Sequence, residues 1–63
     1  MGDDADRAKF YRERATQVRK RARALSNFDA RDSLMLVANS YEAIAESLDR
    51  IEETKRIVGL LEL

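Results

Sequence analysis

Apolar residues recur at alternating steps of three and four along two stretches of this chain, with one interruption between them. In the first stretch they fall at Ala8, Tyr11, Ala15, Val18, Ala22 and Leu25. In the second they fall at Leu34, Val37, Tyr41, Ile44, Leu48 and Ile51, and the rhythm continues through Lys55 to Val58. That spacing keeps one side of an α-helix apolar and is the pattern of a helix–helix seam. No segment alternates apolar and polar residues in the manner of a strand. The sequence has no Pro and only two Gly, both near the ends, and its interior is rich in Ala, Arg, Glu and Leu, which favour helix.

The interruption is Ser26-Asn27-Phe28-Asp29. Ser and Asn side chains compete with helical hydrogen bonding and serve as caps, so Asn27 or Asp29 is expected to start the second helix. At the other end, Asp3 and Asp6 suit a helix N-cap and first turn, where free N–H groups attract carboxylates. The expected organisation is a single domain over 1–63. It comprises helix 1 over about 4–25, a turn at about 26–28, helix 2 over about 28–58 and an apolar tail at 59–63. So short a turn makes the helices antiparallel neighbours. The fold class is therefore an all-α two-helix antiparallel hairpin. Helix 1 is about 33 Å long and helix 2 about 46 Å at 1.5 Å per residue. Ala8 should lie level with about Ala45, and everything after about Ile51 should overhang.

Within the seams, Ala8, Ala15 and Ala22 form one row of helix 1, and Tyr11, Val18 and Leu25 the other. An all-Ala row lets a partner helix approach closely. On helix 2 the large positions Leu34, Val37, Tyr41, Ile44, Leu48, Ile51 and Val58 are read, together with Tyr11, Val18 and Leu25 of helix 1, as the seam of the core and of the oligomer, a face wide enough to pack against more than one helix. Ser33, Ser40, Ser47, Thr54, Ala38 and Ala45 are read as low shoulders beside it.

At 63 residues, such a hairpin has little capacity for a core. Chains this short usually need disulfides, a metal or a partner chain. With no Cys and no His, disulfides and the common zinc, haem and iron–sulfur ligations are excluded. The large apolar residues are also unevenly shared. Residues 1–25 hold five, namely Met1, Phe10, Tyr11, Val18 and Leu25, whereas residues 26–63 hold fourteen. Helix 1 cannot cover helix 2, so the expectation is a homodimer forming a four-helix bundle. A heterologous protein partner is a second expectation, through the overhanging segment.

The formal net charge is zero, but it divides. Residues 1–25 carry eight basic and four acidic side chains, and residues 26–63 carry four basic and eight acidic, hence +4 and −4. The rows Arg7, Arg14, Arg21 and Arg12, Arg19 recur every seven residues beside the seam. They are expected to pair with Glu42, Glu46, Asp49, Glu52 and Glu53 on helix 2. The competing reading is an anion-binding surface for nucleic acid, using Arg12, Arg19, Lys20 and Arg23. The few aromatic residues follow the seams and do not form a base-stacking platform.

The carboxylates Glu42, Glu46, Asp49 and Glu53 lack the His that carboxylate-bridged metal bundles also use, and read as ion-pairing residues. No metal, cofactor or catalytic residue is expected. With no His or Cys to activate a hydroxyl, an enzyme is not expected. The absence of a long apolar run and of a leader-like start points to a cytoplasmic protein without a membrane partner.

Tyr11-Arg12-x-Arg14-Ala15 followed by Arg19 and Ala22, and then Arg31-x-x-Leu34-Met35-x-Val37-Ala38-x-x-Tyr41-Glu42-x-Ile44-Ala45, resembles the short helical-hairpin proteins common in alphaproteobacteria. The resemblance covers roughly residues 10–48. It departs from that pattern at Phe28, where Pro often follows the cap, and after Gly59. It implies a two-helix fold and brings no function with it.

Overall fold

The computed structural model describes residues 3–62. It contains α1 (Asp4–Ala24) and α2 (Phe28–Leu61), packed against each other, with no strand among the described residues. The molecule spans 55 × 19 × 11 Å. The smallest dimension is about one helix diameter, so the hairpin is a flat layer one helix thick with two open broad faces.

Both helix starts follow from their caps. The Asp3 carboxylate accepts from the Asp6 N–H at 2.8 Å, and the Asn27 side-chain oxygen accepts from the Ala30 N–H at 3.0 Å. Each satisfies a donor that the first turn leaves without a helical partner. α1 ends at Ala24, one residue before the expected limit. Leu25 is its C-cap, with extended backbone, and donates to the Ala22 carbonyl at 3.1 Å. The chain then reverses through residues 25–27.

α2 differs more from expectation. It passes through Gly59 to Leu61, three residues beyond the expected end at 58. Gly59 does not adopt a positive φ, and Leu60 and Leu61 sustain helix well. The expected apolar tail is therefore helical as far as Leu61. Leu63, its last residue, and Met1 lie outside the described residues.

The buried residues are Ala8, Ala15, Ala22, Ala38, Ala45 and Leu48. Ala8 packs with Ala45 and Leu48, and half-buried Tyr11 closes over them. This is the expected register. The Lys55 ammonium also reaches the Asp4 carboxylate at 2.8 Å, so α1 covers α2 about one turn beyond Ile51.

Only part of the α2 seam faces α1. Leu34 and Tyr41 are half-buried and Leu48 is buried. Val37, Ile44, Ile51 and Val58, assigned to the same seam from the sequence, are 42–47% exposed. The residues read as shoulders, Ala38 and Ala45, are sealed at 0% exposure. The inward row is thus Leu34, Ala38, Tyr41, Ala45 and Leu48. Two facing alanine rows permit a closer approach than a row of β-branched residues would, and dispersion attraction decays steeply with separation.

Candidate interaction surface

The two sides of the shared seam have opposite chemistry. On one, α1 presents Arg12 and Arg19, about 40–60° around the helix from the alanine row at 100° per residue. Arg12 pairs with Asp49. The Arg19 guanidinium grips both Glu42 carboxylate oxygens, at 2.9 and 3.0 Å, and donates to Asn39 at 3.1 Å. Hydrogen bonding to Arg19, and its charge, hold the Glu42 carboxyl below its ordinary value of 4.5 and raise the Arg19 guanidinium in return. Hydrogen bonding to Asp49 likewise raises Arg12.

The nucleic-acid reading needs Arg12, Arg19, Lys20 and Arg23 to act together. Two of the four are committed to carboxylates of α2. Lys20 is exposed, and Arg23 borders a shallow notch at the turn beside Phe28, Arg31 and Met35.

The row Arg7, Arg14, Arg21 does not pair with α2 as expected. Arg7 meets Asp4 one turn earlier on its own helix, at 3.6 Å. Arg14 donates to Gln17 at 3.5 Å and lies 5.9 Å over the Tyr41 ring. The reason is that Glu42 and Asp49 both lie on the far side of α2. The near side offers Val37, Ser40, Ile44 and Ser47 instead.

The acidic stripe is divided among separate cations. Glu42 pairs with Arg19 and Asp49 with Arg12, while Glu46 and Glu53 pair with Arg50 and Arg56 along α2. Among the described residues no group of three or more His, Cys, Asp or Glu is placed to hold a metal ion. No helix among them is long and apolar enough to cross a membrane.

The exposed side of α2 contains a second seam. Ser33, Val37, Ser40, Ile44, Ser47, Ile51, Thr54, Val58 and Leu61 follow one another at alternating steps of four and three. At 3.6 residues per turn this is a continuous stripe about 42 Å long, and none of its positions carries a charge. All nine residues are exposed. Ser40 donates its hydroxyl to the Leu36 carbonyl at 3.0 Å, and Thr54 donates to Arg50 at 2.9 Å. With those two donors satisfied by the helix itself, dehydrating Ser40 and Thr54 leaves neither hydroxyl hydrogen orphaned. The seven-residue recurrence of serines was the sequence signal for this surface. Its meaning depends on which side of α2 faces α1.

Comparison with family models, curated proteins and solved structures found no match. The hairpin resemblance rests on the sequence pattern alone.

Proposed function

We propose that this chain is a non-catalytic, self-associating helical hairpin, two copies of which join as a four-helix bundle that serves as a protein–protein interaction module. One observation carries the reading. Five of the six buried residues are alanine, while twelve large hydrophobic residues among those described are exposed. Five of the twelve, Val37, Ile44, Ile51, Val58 and Leu61, lie on one continuous stripe of α2, and burial against a second chain is the usual resolution of such a surface. A cytoplasmic setting and occasional exchange of the second copy for another helical protein belong to the same proposal.

Sedimentation equilibrium over about 5–200 µM tests it, because association makes the folded fraction depend on concentration. The expected result is a rise from 7.2 kDa to twice that mass, together with rising helicity. A helical monomer across the whole range would overturn the reading. A 260/280 nm absorbance ratio raised by co-purifying nucleic acid, removable by salt, would favour the basic surface of α1 instead.

A further inference from the structure

Resting on the self-association proposed above, we infer that the partner of the uncharged stripe on α2 is the same stripe of a second copy, running antiparallel.

The stripe consists of two rows. Val37, Ile44, Ile51 and Val58 are β-branched; Ser33, Ser40, Ser47 and Thr54 are small. In an antiparallel pair of helices, each row faces the other row of the partner. If the two-fold axis passes between residues 45 and 46, Val37 faces Thr54 of the second copy, Ser40 faces Ile51, Ile44 faces Ser47 and Ser33 faces Val58. The numbers in every pair sum to 91, so one register matches a large residue to a small one from Ser33 to Val58, and sets Leu61 beside Ala30 of the second copy. Alternating large and small residues across facing positions is how helix layers interdigitate without voids. A parallel pair instead sets valine on valine and serine on serine.

The flanks favour the same choice. Leu36 and Ile57 border the stripe on its outer side and are 67% and 49% exposed. The antiparallel register brings Leu36 of each copy beside Ile57 of the other. Arg50 lies on the same outer flank, while Lys55 lies on the flank nearest α1. A parallel pair places Arg50 next to Lys55 of the second copy, twice, and like charges across helix flanks oppose pairing. Antiparallel, Arg50 meets Ala43. The contact is isologous, so it closes at two copies. A strip about 42 Å by 12 Å on each copy buries on the order of 1,000 Å² in total, about the least that a specific interface needs.

The chain has no cysteine, so a single Cys can carry a spin label. Asp32→Cys and Glu46→Cys place labels on the exposed side of α2. In the antiparallel dimer the two labels at position 32 are 27 residue steps apart along the axis, or about 40 Å at 1.5 Å per step. Those at position 46 are level, separated only by the width of the pair, about 20 Å. Dipolar distances near these two values are the expected result. Equal distances at both positions overturn the antiparallel arrangement and leave self-association standing. A monomer at about 200 µM overturns both.

Side-chain exchange tests the register. Ile44→Ser and Ser47→Ile should each weaken dimerisation at least about tenfold, by opening a void or forcing two isoleucines together. The double variant, which restores the pairing with roles exchanged, should return to within about threefold of the original. Failure of the double variant to dimerise, with circular dichroism still showing helix, overturns the register.

Discussion

Along α2, Ala38 and Ala45 are sealed against α1, whereas Val37 and Ile44, each one residue earlier, keep 43% and 42% of their surface exposed. The two rows have the same seven-residue period. They differ in side-chain size and in what lies beside them. Turning the alanines inward lets the backbones approach closely and brings Glu42 and Asp49 to the side where Arg19 and Arg12 project. Turning the larger residues inward would have gained apolar burial at the cost of both the close approach and the ion pairs. In this hairpin, closeness and charge complementarity set the rotation of α2, and the larger residues are left for another surface.

The contrast between the sealed and open rows can be tested from both sides. The largest effect is expected from Ala15→Leu, because Ala15 is 0% exposed and overpacking there costs about 3 kcal/mol. Most of the helical circular dichroism at 25 °C should vanish, since a core this small has little stability to lose. Ile51→Ala strikes the open row. It should lower the melting temperature at high protein concentration, by an amount equivalent to about 2 kcal/mol per copy, and have little effect at high dilution. Equal effects at all concentrations would erase the distinction between the rows.

Smaller changes should affect both rows alike. Asn27→Ala removes the cap of α2 and should cost about 1 kcal/mol, measured by urea denaturation. Gly59→Ala should act in the opposite direction. A methyl group at Gly59 meets nothing within 4 Å, so relief of glycine's conformational freedom should add about 0.5 kcal/mol. The smallest effect concerns the charged side. Glu42 titrates below 4.5 in the fold because Arg19 holds it, so the unfolded chain binds its proton more readily. The associated stability is fully present above about pH 4.5 and fades as pH falls through the lowered folded value. Glu42→Gln should therefore reduce the difference in melting temperature between pH 7 and about pH 3.

The hairpin itself was legible in the sequence. The periodicity, the Ser26-Asn27 break and the acidic first turn of α1 were enough for two antiparallel helices, and the level of Ala8 with Ala45 followed from the turn. The rotation of α2 was not legible from periodicity. Leu34, Tyr41 and Leu48 belong equally to a seam completed by Val37 and Ile44 and to one completed by Ala38 and Ala45. Size favoured the first on paper and close approach decided for the second. The pairing of arginines was half legible for the same reason. Arg12 and Arg19 face carboxylates only in the rotation that turns Arg7, Arg14 and Arg21 toward Val37 and Ile44. The continuation past Gly59 was hidden because glycine marks a helix end only where its backbone turns left-handed.

Tyr11 and Tyr41 stack across the two helices, with ring centroids 5.8 Å apart and planes 25° from parallel. They are the chain's only tyrosines, and it contains no tryptophan. The fold thus carries its own optical gauge. Its tyrosine ultraviolet signal comes from one pair of rings that meet only while the hairpin is closed, so a spectrum taken without any added dye reports whether the two helices are packed together.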